Sequence, residues 1–291
     1  METYFKSFSR GLRNRVAELA KWNKMLRIRL QAQVEQLERL GRLRRFLSRQ
    51  VAEVIVFEEN ESKLSSHRRE IAALFCDLRG FTAFSDSAPT EAVLDVLRDY
   101  HQAMGELIDE FQGTIEHRAG DGIMVIFNAP LPCNDPALQA VQLAVAMRNR
   151  MRDLSEDWQK FGYELGFGVG MSLGYAILSM VGSEGRFNYV ANGRVVNLAS
   201  RLSDEAADGQ ILLSERAYDA VKERVQTDCI GDLTLKGFRQ QVKAFNVIIL
   251  KSETASTSGS HRDEGHARNN KQRATQLDWS QWLPEEEIGD Y

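Results

Sequence analysis

The chain has 291 residues, enough for one large domain with extensions or for two domains. Hydrophobic residues make up 43% and charged residues 27%, and no apolar run approaches the roughly 20 residues of a spanning helix, which excludes an integral membrane protein. The net charge of −4 hides an asymmetry: residues 1–50 hold 13 Lys+Arg against 4 Asp+Glu, residues 51–250 hold 19 against 29, and residues 251–291 hold 5 against 8.

These sign changes divide the chain into a basic segment 1–50, a central domain 51–250 with its core at about 66–250, and a tail 251–291. From Val16 to Leu47 there is no proline and one glycine, Gly41, in a run rich in Leu, Arg, Gln and Glu, so a long helix is predicted. Leu30, Leu37 and Arg44 at one heptad position and Leu26, Gln33, Leu40 and Leu47 at its partner outline a short coiled-coil seam for dimerisation, with packing on its own domain as the alternative. The arginines are spread around this helix and read as a solvated face, so nucleic acid is not expected as a partner and contact with a membrane surface is disfavoured. The opening METYFKSFSRGLRNR lacks the apolar stretch of a secretory signal, and cytoplasmic location is expected. Cys76, Cys133 and Cys229 are far apart and without a CxxC spacing, which suggests reduced thiols.

In the central domain REIAALFCDL reads as a buried strand, TEAVLDVLRDYHQAMGELIDEF as an amphipathic helix, and GTIEHRAGDGIMVIF as two strands about a turn at Gly120-Asp121-Gly122. PALQAVQLAVAMRNRMRDLSEDW is a second helix, ELGFGVGMSLGYAIL a strand, VVNLASRLSDEA a helix, QILLS a strand and RAYDAVKER a helix, with closing strands around Asp232–Leu235 and Val242–Ile249. The pattern is α+β, with helices over one face of a mainly antiparallel sheet. After Lys251 the run SETASTSGSHRDEGHARNNKQ is too poor in apolar residues to order by itself, while Trp279, Trp282 and Leu283 ahead of an acidic cluster have the makings of a docking motif.

Asp77 ends an apolar strand where the chain turns and backbone amides become available. Asp121 lies at the hairpin tip, and if that hairpin pairs beside the first strand the two carboxylates converge. They would then want a divalent cation between them, and hard oxygen ligands argue for Mg²⁺ or Mn²⁺. The same Gly-Asp-Gly also reads as a plain turn. Asn197 and Arg201 are four apart and share one helix face, where an amide and a guanidinium can address a ribose and a phosphate together.

Taken in order, FCDLRGFT, AGDGIMVIF and VNLASR resemble the catalytic domain of the class III nucleotidyl cyclases, the adenylyl and guanylyl cyclase family, over about residues 66–250. The resemblance implies a ferredoxin-like α+β domain working as a head-to-tail homodimer with composite sites. It implies metal aspartates at Asp77 and Asp121 and a metal-binding backbone carbonyl at Leu78, together holding two Mg²⁺ or Mn²⁺ per site. Phosphate-facing amides fall on Phe81 and Thr82, a ribose-orienting amide on Asn197, a transition-state guanidinium on Arg201, and a further phosphate-binding lysine on Lys236. One chain would supply the aspartates and its partner Asn197 and Arg201.

The positions by which the family reads the purine fall on His117, with Glu116 beside it, and on Val190, which match neither the adenylyl nor the guanylyl pattern. ATP, converted to 3′,5′-cyclic AMP and pyrophosphate by attack of the ribose 3′-hydroxyl on the α-phosphorus, is the expected substrate. GTP is the alternative, and a non-catalytic nucleotide-binding module a further one.

Overall fold

A computed structural model describes residues 15, 18–34, 48–57, 64–183 and 186–251. Residues 18–34 are helical, within the predicted N-terminal helix, and Leu19, Trp22, Leu26 and Leu30 along them are exposed. The seam positions Leu37, Leu40, Arg44 and Leu47, and the tail with Trp279 and Trp282, lie outside the described residues. Among the described residues no helix is long and apolar enough to cross a membrane.

The central domain runs α1 (Arg49–Phe57), β1 (His67–Arg79), α2 (Phe81–Ser87), α3 (Thr90–Glu110), β2 (Thr114–Ala119), β3 (Gly122–Phe127) and α4 (Pro136–Gln159). It continues with β4 (Gly166–Ser183), β5 (Arg186–Asn192), α5 (Arg194–Glu205), β6 (Ile211–Ser214), α6 (Glu215–Val221), β7 (Val225–Leu233) and β8 (Val242–Leu250). The strands form one sheet in the order β2-β3-β1-β4-β6-β8-β7, with β5 paired to β4. Every pairing is antiparallel except β4 with β6. This is the predicted α+β cyclase-type architecture, with three differences.

Helices cover both faces of the sheet, not one. On β1 the residues Ala72, Leu74, Cys76 and Leu78 pack under α3, α4 and α6, whereas Ile71 and Ala73 pack with Val51 and Val54 of α1 and Val195 and Ala199 of α5. Alternate strand residues point to opposite faces, and a run as continuous as IAALFC needs cover on both. The first closing strand is β7, which begins at Val225 rather than near Asp232. Finally α1, α2 and β5 are additional elements, and α1 begins at Arg49, ahead of the boundary drawn from charge at 50/51. Val51 and Val54 are buried, and Gln50 Nε2 donates to the Gly113 carbonyl at 2.9 Å, so α1 is integral to this layer.

Local chemistry sets these elements. Asp135 caps α4, its carboxylate accepting from Leu138 N–H at 3.0 Å, and Pro136 takes the first helical position, where an N–H is dispensable. The β2–β3 hairpin closes on Gly120-Asp121, with Gly120 at φ +59° in the left-handed region that a side chain disfavours. α5 lies so close to β4 that a Cβ at Gly170 would run into the backbone of Ala199, Leu202 and Ser203.

Candidate active site

Two regions of one chain carry the predicted residues. The first is the end of the β1–β3 ladder. Cys76 pairs with Ile123, so Asp77 is the next residue on β1 as the β2–β3 hairpin turns at Asp121. The two carboxyl groups meet: Asp121 faces Asp77 and lies beside the backbone amide of Leu78. Burial first, and the facing Asp77 second, push the Asp121 carboxyl up to about 7. Asp77 Oδ1 is buried with no hydrogen-bond partner, which leaves a hard oxygen donor unsatisfied.

Two carboxylates in contact, one with an orphaned oxygen, fit a divalent cation of the Mg²⁺ or Mn²⁺ type. Among the described residues no group of three or more His, Cys, Asp or Glu side chains gathers anywhere. Further ligands to a cation here would thus be the adjacent backbone carbonyl of Leu78, water or a bound phosphate.

The surroundings hold this end still. His101 of α3 donates from Nε2 to the Gly120 carbonyl at 2.7 Å, fastening the hairpin tip, and its Nδ1 is buried without a partner. Burial holds its imidazole below the ordinary range. Behind Asp77, Cys76 Sγ lies 3.5 Å from the Tyr100 hydroxyl, and burial pushes the thiol up to about 12, so it is an inert packing group. Phe81 and Thr82 open α2, whose first intrahelical bond runs from Phe84 N–H to Gly80 O. Their own N–H groups are left without a helical acceptor, as an anion requires.

The second region is α5 and its neighbours. Asn197 is exposed and Arg201 partly so, on the flank of α5 away from Val195, Ala199 and Leu202, which are buried. Arg201 Nη1 is engaged with Asp204 Oδ2 at 2.6 Å, and among the described residues no hydrogen bond or ion pair links Asn197 or Arg201 to Asp77 or Asp121. Lys236 is exposed beside Leu235, which is buried against Leu202 and Ala206 near the end of α5.

His117 stands exposed on β2 opposite Met124, on the face that carries α1 and α5. A bulge between Ile115 and His117 leaves Glu116 outside the ladder, its carboxylate near the backbone amide of Ala191 of β5, and burial raises its pKa. With Asn188 and Tyr189 of β5, these two residues line a groove of about 900 Å³, which neither aspartate lines. Val190 pairs with Ser179, and the alternation of β5 sets it on the opposite face from Tyr189 and Ala191. The structure thus joins Asp77, Leu78 and Asp121, puts Phe81 and Thr82 directly after them, and leaves His117, Val190, Asn197, Arg201 and Lys236 apart from the pair.

Three residues with evident positional roles were not anticipated: Arg79, His101 and Asp204. Arg79 was legible as a second residue on the face of Asp77. Asp204 was legible too, three residues after Arg201 on one helix, whereas the contact of His101 with Gly120 is not revealed by spacing.

Comparisons with known proteins identify the family of the domain. Residues 64–249 match the family model of the adenylate and guanylate cyclase catalytic domain. An uncharacterized protein of Mycobacterium tuberculosis is 31% identical over 220 residues, covering 73% of this chain and 39% of that protein, so the chain spans well under half of its relative. Among solved structures, the adenylyl cyclase CyaB from P. aeruginosa is 32% identical with a TM-score of 0.62, covering 69% of this chain and 100% of that one. The guanylyl cyclase Cya2 is 33% identical with a TM-score of 0.62, covering 66% and 98%.

Proposed function

Because this chain belongs to the adenylate and guanylate cyclase catalytic-domain family, we propose that it converts ATP to 3′,5′-cyclic AMP and pyrophosphate at composite sites of a homodimer. The observation that carries this reading is the separation of the site into halves. Asp77 and Asp121 meet at the end of β1, while Asn197 and Arg201 stand on the outer flank of α5 with no bond to them. A second copy bringing its α5 to the first copy's aspartates completes one site, and two-fold symmetry completes the other. The reaction takes place in the cytosol, where the three unpaired thiols persist.

Asp77, Asp121 and the Leu78 carbonyl would hold two Mg²⁺ or Mn²⁺, which when bound lower the pKa of the ribose 3′-hydroxyl and draw charge from the triphosphate. The Phe81 and Thr82 amides and the Lys236 ammonium bind phosphate oxygens. Asn197 orients the ribose, so that the 3′-oxygen is in line with the α-phosphorus as pyrophosphate leaves. Arg201 faces the charge that develops there, exchanging its bond with Asp204 for the phosphoryl oxygen. His117 and Val190 stand where the family reads the purine.

A second reading, GTP as substrate, draws on Glu116, which the bulge leaves beside His117. A carboxylate can accept from a guanine amide and amine, once released from Ala191 N–H. The deciding experiment incubates purified protein with ATP or GTP and Mn²⁺, quantifies cyclic nucleotide and pyrophosphate, and uses Asp77→Ala as blank. Cyclic AMP is the expected product, and cyclic GMP alone would transfer the assignment to the second reading. Nucleotide binding without turnover by a demonstrated dimer would make the domain a non-catalytic module.

A further inference from the structure

Arg79 touches both halves. Two residues beyond Asp77 on β1, it shares that residue's face of the sheet, the face on which α5 lies. Its Nη1 is 3.7 Å from Asp77 Oδ2, and its Nη2 donates to the Ser203 carbonyl in the last turn of α5. The guanidinium is mostly shielded from water and its Nε is buried without a partner.

Two features show that the place is made for it. Gly168 pairs with Asp77 across the β1–β4 ladder, and a Cβ there would collide with the guanidinium of Arg79. The end of α5 also needs a cation. A helix C-terminus gathers negative partial charge, and the last turn of α5 adds Asp204, which Arg201 engages, and Glu205, with no basic residue in that turn itself. Arg79 brings that cation from a strand, to a carbonyl two residues from Arg201.

We propose that Arg79 is a positioning residue that ties the metal-binding half of one composite site to the nucleotide-binding half of the other. The inference rests on the shared-site homodimer, in which Asp77 serves one site while Asn197 and Arg201 of the same chain serve its twin. Asp77 and the last turn of α5 then move as one body, so a change at either site is felt by the other through a single side chain.

The test uses mixed dimers with one working site. A chain carrying Arg201→Ala contributes Asp77 to that site, and a chain carrying Asp77→Ala contributes Asn197 and Arg201. Activity of this mixture is measured first, with Arg79 intact in both. Its absence from chains shown to exchange would overturn the shared-site reading and the coupling with it.

Arg79→Gln is then placed in one chain at a time. In the chain that gives Asp77, the Mn²⁺ concentration for half-maximal activity should rise at least about fivefold, with the KM for nucleotide unchanged at saturating metal. In the chain that gives Arg201, kcat should fall or the nucleotide KM rise by a similar factor, with the metal requirement unchanged. Arg79→Lys, which keeps the charge but not the two-pronged geometry, should recover part of each effect.

Equal losses from both chains, with the constants unmoved and activity following the folded fraction, would reduce Arg79 to a structural residue and overturn the coupling. An effect from only one chain would do the same. Should Arg79→Gln not fold, Gly168→Ala keeps Arg79 but displaces its guanidinium, and it must reproduce the split. A folded Gly168→Ala dimer with unaltered constants would overturn the proposal.

Discussion

The two regions that the proposed function assigns to metal and to nucleotide differ in how much of each the chain itself arranges. At the end of β1 the ladder with β3, the His101 bond to Gly120 and the Leu78 amide bring two carboxyls into contact within one chain. On α5 the functional side chains are fixed in direction by a helix packed on Gly170, yet they face outward, and Arg201 rests on Asp204. Two adjacent carboxyl groups, partly buried, have to be held by a rigid frame before any ligand arrives, whereas an amide and a guanidinium are content in water. The costly half is therefore prebuilt, and the inexpensive half can wait for assembly.

The largest test of that contrast is genetic. Asp77→Ala and Arg201→Ala should each lower activity at least about a hundredfold, and mixing them should restore a fraction of it, read as cyclic nucleotide formed. No recovery between exchanging chains would place both halves in one protomer's site. Next in size is Gly170→Ala, whose new Cβ must displace the backbone of α5. Destabilisation of about 1–3 kcal/mol or more is expected in urea unfolding. Any folded fraction should lose turnover, and its Mn²⁺ binding by calorimetry should weaken, because Arg79 passes a displacement of Ser203 on to Asp77.

Removal of residues 1–47 leaves α1 and its buried Val51 and Val54 in place. If the exposed helix at 18–34 joins two copies, activity should drop with dilution while the melting temperature of the domain stays put, measured by activity against concentration and by calorimetry.

A smaller effect is expected at His101. Burial holds its imidazole below the ordinary 6.5, so below that pH the unfolded chain takes up a proton that the folded chain refuses. Stability attributable to His101 is present above about 6.5 and lost as pH falls through it. His101→Ala should lower stability near neutrality by about 1 kcal/mol for the lost bond to Gly120 and show a weaker acid-side decline in thermal melts. The smallest change is expected from Asp204→Asn, which opens an exposed pair and should alter stability by no more than about 0.5 kcal/mol. A large loss there would mean that α5 is less settled than its packing implies.

Much of this was legible from the chain alone, for reasons that differ by element. The apolar run of β1, the Gly120-Asp121 turn and the periodicity of α3 and α4 fix the frame, and through it the meeting of Asp77 with Asp121. β5 was missed because RFNYVAN buries only alternate residues and carries two asparagines, and β7 was placed too late because VQTDCIGDL is mostly polar at the sheet edge. α1 was hidden in a basic stretch whose charge outweighed its Val51 and Val54. Arg79 to Ser203 spans 124 positions, and no local pattern signals such a bond. In the proposed dimer, the meeting of one copy's aspartates with the other's α5 leaves no contact within one chain to read.

The bulge in β2 has an evolutionary reading. Ile115 and His117 keep their partners Val125 and Met124 whether or not Glu116 lies between them. One codon gained or lost there adds or removes a carboxylate beside His117 while the flanking pairs keep their register. If His117 reads the purine as proposed, insertion or deletion here alters the base contacts while the sheet absorbs the change in length.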